Sequence, residues 1–165
     1  MKRQLILIRH TKSNWDNPLD SDFDRPINKD RVNDTLRMSK KLKDLGLKPD
    51  LILCSPANRT RQTAEYFCKA LNFETENVLF DKRLYESPAE EYLEVVQETE
   101  ADIKTLVVVG HNPSTTHFAN LFLDEKVLQV PTTGVVWIEF NHPDWHLSPP
   151  SVKGHLKYFL TPKAL

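Results

Sequence analysis

Four short apolar runs punctuate an otherwise polar chain, at residues 5–8, 51–54, 106–109 and 135–140. The first three are unbroken and rich in branched side chains, the pattern of strands covered on both faces in a parallel sheet. Between them, apolar positions recur at helical spacing. Residues 28–45 place Val32, Leu36, Leu42 and Leu45 on one stripe, and Gly46 ends it. Residues 59–71 carry Ala64, Phe67 and Leu71. A third helix is predicted over 89–98 and a fourth from Pro113, a residue suited to the first helical position. A further strand is expected at a sheet edge within 152–160. Strand and helix alternate, so the pattern predicts an α/β fold: a three-layer α/β/α sandwich with a mostly parallel central sheet, in a single domain over residues 1–165.

Charge and composition narrow the function classes. With 22 Lys+Arg against 23 Asp+Glu, the chain has no broad cationic face, and nucleic acid is not an expected partner. Arg9 and His10 interrupt the first apolar run after four residues. A signal peptide needs about 7–15 apolar residues and a membrane helix about 20, so no membrane association is expected and the chain is placed in the cytoplasm. Cys54 and Cys68 are expected to be free, buried thiols in that reducing compartment.

Ligands of open α/β sheets sit beyond the carboxyl ends of the strands. The first strand runs into Arg9-His10-Thr11-Lys12-Ser13, the second into Ser55-Pro56 and then Arg59, and the third into Gly110-His111-Asn112-Pro113. Two histidines and at least two arginines are thus delivered to one sheet edge. Arginine forks match phosphate oxygens, and the backbone N–H groups opening the helix after Asn112 are expected to add an anion site. A neutral imidazole among such donors is a competent nucleophile toward phosphorus. Arginine charge then stabilises the transferring group, so no metal or cofactor is called for. The sequence also lacks a glycine-rich phosphate loop and an HExxH motif. Singly, these segments have plainer readings: a structural histidine, a capped helix start, a turn. Their recurrence at successive strand ends favours a site.

The segments Leu-Ile-Arg-His-Thr-Lys-Ser-Asn-Trp-Asp (residues 7–16), Ser-Pro-Ala-Asn-Arg-Thr-Arg-Gln-Thr (55–63) and Val-Gly-His-Asn (109–112) resemble the histidine phosphatase superfamily, with its phosphoglycerate mutase-like fold. Asp-Phe-Asp-Arg-Pro-Ile-Asn (22–28) and the short length look like its SixA-type phosphohistidine phosphatase branch. The resemblance implies His10 as nucleophile, Arg9, Arg59 and His111 as the phosphate pocket, and Arg25 as an additional arginine lining it. Thr11 stands where much of the superfamily has glycine, which bears on loop geometry. Leu84-Tyr85-Glu86 resembles the Leu-x-Glu motif in which other branches place a proton donor; Glu86 is either that donor or an exposed loop carboxylate.

Ser13 sits where it can bond phosphate, while Asp22 and Asp24 are expected to pair Arg25. Lys12 is placed at the rim and Arg61 on the surface. His117 falls in the fourth helix. His142 and His146 are separated by Pro143, which argues against a metal pair. Trp15, Trp137 and Trp145 are expected to pack. The reaction expected is hydrolysis through a phosphohistidine at neutral His10, with protonated His111 and the arginines holding the oxygens. The favoured substrate is a phosphorylated protein, a histidine phosphotransfer domain of a phosphorelay, reached through a site without a lid. The alternatives are a small phosphate ester and a non-catalytic phosphoprotein-binding module.

Overall fold

In the computed structural model, which describes residues 2–165, the chain runs β1 (Lys2–Arg9), α1 (Val32–Asp44), β2 (Leu51–Cys54), α2 (Asn58–Leu71), β3 (Leu79–Phe80), α3 (Ala89–Gln97), β4 (Thr105–Gly110), α4 (Ser114–Asn120), β5 (Val135–Asn141) and β6 (His155–Leu160). The strands form one sheet in the order β3-β2-β4-β1-β5-β6. β1, β2, β3 and β4 pair in parallel, while β5 runs antiparallel to both β1 and β6. The expected α/β/α sandwich with a mostly parallel sheet is therefore present, with β6 as the edge strand foreseen near the end of the chain.

Period-2 alternation along β1 feeds two cores. Leu5 and Leu7 pack with Tyr92 and Val96 of α3 and Phe118 of α4. Ile6 and Ile8 pack with Met38 and Leu42 of α1 and with Ala64 and Phe67 of α2. All four β1 side chains are fully buried, each worth roughly 1.5–3 kcal/mol over exposure. The residues that follow β1 therefore stand on a firmly anchored strand. Cys54 and Cys68 are free and buried in the second core.

Several expectations are corrected. Leu36 is exposed, and the buried stripe of α1 is Thr35, Met38, Ser39 and Leu42, a regular i, i+3, i+4, i+7 set in which two hydroxyl residues replace the anticipated leucine. That helix starts later than predicted, because Asn28 caps a short 3-10 turn at Lys29–Arg31 ahead of it. Gly46 ends it with φ +84°, the left-handed conformation its position requires. Pro113 precedes α4 as its cap instead of opening it. The apolar pattern does not predict β3, which is two exposed residues with no alternation. Trp137 and Trp145 are buried as expected, but Trp15 is 64% exposed.

Candidate functional site

β1, β4 and β2 run parallel and end level with one another: Arg9 lies opposite Gly110, and Cys54 opposite Val109. The ladder continues one step further, with His10 N–H donating to Gly110 O (3.1 Å) and Ser55 N–H to Val109 O (3.0 Å). His10, His111 and Ser55 consequently leave the sheet side by side. The two histidines open into a cleft of about 1160 Å³ that also takes in Arg9, Arg25 and Arg59, with Ser55 buried behind them. The rings of His10 and His111 are 5.2 Å apart.

His10 is 8% exposed, and its Nδ1 lies 2.6 Å from the Thr11 carbonyl oxygen. A carbonyl only accepts, so Nδ1 carries the ring proton and Nε2 keeps its lone pair. Burial pushes the ring pKa down to about 4, and the charges of Arg59, Arg9 and Arg25 add to the shift against the opposing Thr11 bond. The ring is therefore neutral at neutral pH. His111 is corrected on this point. Burial, followed by the effects of His10 and Arg59, pushes its pKa down to about 3, so in this structure it is neutral and not the expected imidazolium. Its Nε2 is 2.8 Å from Ser55 Oγ, which already accepts from Ala57 N–H. Satisfying every group makes the Ser55 hydroxyl the donor and leaves the His111 proton on Nδ1.

The two arginines are held by their terminal nitrogens. Arg9 Nη1 donates to Val130 O (2.9 Å), and Arg59 donates through Nη1 to Asp22 O (2.7 Å) and through Nη2 to Asp22 Oδ2 (3.2 Å). Both Nε–H groups are buried and, among the described residues, without a partner. Such a buried donor costs roughly 1–3 kcal/mol unless something accepts from it, and the two guanidinium side chains line one cleft with the two imidazoles, a set suited to an oxyanion.

Asp22 is the residue whose importance the sequence understated. Its carboxylate accepts from Arg25 Nε and Nη2 (3.2 and 2.8 Å), Arg59 Nη2 and Tyr85 Oη (2.8 Å). Burial raises its pKa, but the Tyr85 and Arg25 bonds and the Arg59 charge outweigh that and hold it at about 2. Tyr85 in turn packs edge-on against His111 at 5.5 Å and Phe23 at 5.2 Å. The signal available in the sequence was the acidic residue three positions before Arg25. Asp24 does not join it; its carboxylate accepts from Ser21 Oγ.

The remaining predicted residues divide. Arg25 lines the cleft, donates to Ser13 Oγ and stacks 3.6 Å from the Trp15 ring centre, which is what Trp15 does in place of packing inside. Ser13 is thereby tied to Arg25 at the rim. Asn112 also lines the cleft, but its side chain is committed: Nδ2 donates to Val130 O, and Oδ1 accepts from Thr116 N–H and Oγ1. The anion site expected at the following helix is likewise corrected, because Thr115 N–H donates to His111 O and Thr116 N–H to Asn112, and α4 has only seven residues. Glu86 lies at the cleft edge, exposed, at φ +51°, with no hydrogen bond or ion pair among the described residues. Lys12 and His117 are exposed lining residues, and Arg61 is exposed over Phe80. Nothing in the sequence pattern marks Tyr92 as a site residue. Its hydroxyl accepts from His111 N–H and donates to Leu84 O, and a Cβ on Gly110 would collide with its ring.

A family model for the histidine phosphatase superfamily, branch 1, matches residues 5–106. An uncharacterised chloroplastic protein of Arabidopsis thaliana is 35% identical over 120 residues, covering 68% of this chain and 55% of that protein, so the match spans about half of its length. A SixA protein of Agrobacterium tumefaciens, named as a candidate phosphohistidine phosphatase, superposes with TM-score 0.82 at 25% identity, over 97% of this chain and 98% of that one. A second such SixA protein, from Nakamurella multipartitia, gives TM-score 0.83 at 22% identity, over 98% and 97% of the two chains, a likeness of fold. The family match runs through both the strand end that carries His10 and the helix that carries Arg59, and the chain therefore belongs to the histidine phosphatase superfamily, in its SixA-type branch.

Proposed function

We propose that this phosphatase works through a phosphohistidine at His10 and that its substrate is phosphohistidine on a partner protein of a phosphorelay. The observation that carries the mechanism is a His10 ring whose Nδ1 is committed to the Thr11 carbonyl, in a cleft that Arg9, Arg59 and His111 also line. Nε2 attacks phosphorus in line as the bond to the leaving group breaks. The arginines take the negative oxygens, and His111 contributes its single ring N–H as a hydrogen bond. His10 keeps its Nδ1 proton on the Thr11 carbonyl throughout. Water then attacks the phosphoenzyme, releasing phosphate and returning His10 as the same neutral tautomer, while the proton lost by water goes to solvent. A non-catalytic binding module would have no use for a bare imidazole nitrogen.

The substrate reading is supported by what surrounds the cradle. Breaking a P–O bond to an alkoxide calls for a proton donor, whereas the imidazole of phosphohistidine departs neutral once its distal nitrogen is protonated. Asp22 is held ionised and both histidines are neutral, so none of them is poised as an acid. The open cleft suits a side chain presented by another protein, and the two free buried thiols suit the reducing cytoplasm where this reading places the enzyme. Glu86 at the cleft edge favours a second reading, a small phosphate ester. The test offers a phosphohistidine-bearing phosphotransfer domain and a phosphoserine peptide in parallel. Phosphate release from the first alone is expected; efficient ester hydrolysis that disappears in Glu86→Gln would move the assignment to the second.

A further inference from the structure

Behind His10 lies a set of side chains that the cleft does not reach. Thr11, Thr35, Thr63 and Thr133 come from the end of β1, from α1, from α2 and from the turn before β5, and none is more than 1% exposed. None of them lines the cleft. Thr133 Oγ1 donates to Thr11 Oγ1 (3.0 Å), and the Thr11 and Thr35 hydroxyls share a second hydrogen bond. Thr11 N–H donates to Thr63 Oγ1 (3.0 Å), and that hydroxyl donates to the backbone oxygen of Arg59 (2.7 Å). The one remaining polar group of Thr11, its carbonyl, takes the Nδ1 proton of His10. Every polar group of this residue is thus engaged, each by a different part of the molecule.

Thr133 adds an independent sign. It adopts φ +62°, a left-handed conformation that is costly for a β-branched residue, and in it the N–H reaches both Arg9 O (3.0 Å) and His10 O (3.1 Å). Apolar side chains could fill the same volume without buried hydroxyls, which are tolerated only when fully bonded. A cluster bonded to one hub from three elements instead specifies a single orientation. Any swing of Thr11 that took its carbonyl off Nδ1 would disturb bonds to α1, α2 and the Thr133 turn together.

We propose that this hydroxyl cluster is the positioning device of the nucleophile: it fixes the Thr11 carbonyl against His10 Nδ1 and so holds the ring in the tautomer whose Nε2 is bare. It rests on His10 being the nucleophile. It also accounts for a threonine at residue 11, whose φ is not positive and whose hydroxyl is the hub of the cluster.

The test joins nitrogen NMR of the histidine rings with kinetics. In the wild-type protein, His10 should carry its proton on Nδ1. Thr35→Val keeps shape but removes a hydroxyl, and should lower kcat about tenfold, the equivalent of one net hydrogen bond, with KM little changed. The His10 ring signals should move toward a tautomer mixture, and Thr35→Ser should restore both. Thr35→Ala serves in the same way should the valine variant not fold. A wild-type ring protonated on Nε2 would overturn the proposal. So would variants that lose melting temperature while kcat and the ring signals stay put. Absence of turnover in the wild type would break the nucleophile reading, while the ring signals would still judge the cluster.

Discussion

The two walls of the cleft are built differently. On one side, His10, Ser55 and His111 follow directly from buried parallel strands and are fixed by backbone bonds and hydroxyls. On the other, residues 12–28 form a loop that is closed at its base by Asn28 N–H on Lys12 O (2.7 Å) and a bridge between Ser13 and Ile27. There Asp22 and Arg25 are held by side-chain charge, and the Asp22 side chain is 33% exposed. The rigid wall has the features that chemistry requires: neutral rings, an assigned tautomer and shared burial. The loop wall has the features of a grip, built from ion pairs that a ligand and salt can both modulate. Arg59 belongs to both, rooted in α2 and bonded to Asp22.

Removal of the nucleophile should break the comparison most completely. His10→Ala is expected to lower turnover on the order of a thousandfold or more, without loss of phosphate binding, as read by initial rates and by calorimetry with inorganic phosphate. Next comes Arg9→Ala on the rigid wall, which removes an oxyanion donor and should cost about 10²–10³ in kcat. On the loop wall, Asp22→Asn removes the charge that organises Arg25, Arg59 and Tyr85. Here KM should rise about tenfold with kcat nearly intact, and the gap from wild type should narrow at high salt. A kcat loss equal to that of Arg9→Ala would erase the distinction between the walls.

The pH response sharpens the contrast further. His10 stays neutral down to about pH 4, so the acid limb of kcat/KM should lie near there and not near the ordinary histidine value of 6.5. For stability the sign is fixed by the same shifts. Between pH 6.5 and about 4 the unfolded chain binds more protons on His10 and His111 than the folded one, so the melting temperature should fall as pH drops through that window. The smallest effect is expected from Glu86→Gln, which should change hydrolysis of phosphohistidine by less than about twofold, because an imidazole leaving group needs no acid.

The same division decides what was legible in the sequence. Arg9, His10 and His111 could be located because unbroken apolar runs announce buried parallel strands and the chain then delivers whatever comes next to the sheet edge. Arg59 followed from the turn into α2. The loop wall has no such period. Asp22 is one of several acidic residues in its segment, and only the folded loop brings it to Arg59 and Tyr85, residues far along the chain. Thr35 was hidden for another reason. The apolar period of that helix runs through Val32 and the leucines, and a buried hydroxyl in a helix looks like a polar surface position until its partner, Thr11, is known. The neutral state of the unliganded His111 ring is not legible in the sequence, because the depth of burial is a property of the packed site, not of the strand end that carries the ring.

The central claim is that phosphate passes through His10. Enzyme mixed with a phosphohistidine-bearing domain, quenched within the first turnover at alkaline pH and weighed intact, tests it directly. A phosphoryl adduct that maps to His10, decays at the rate of phosphate release and is absent from His10→Ala is the predicted result. Full turnover with no adduct at any time, or an adduct that persists in His10→Ala, would contradict it.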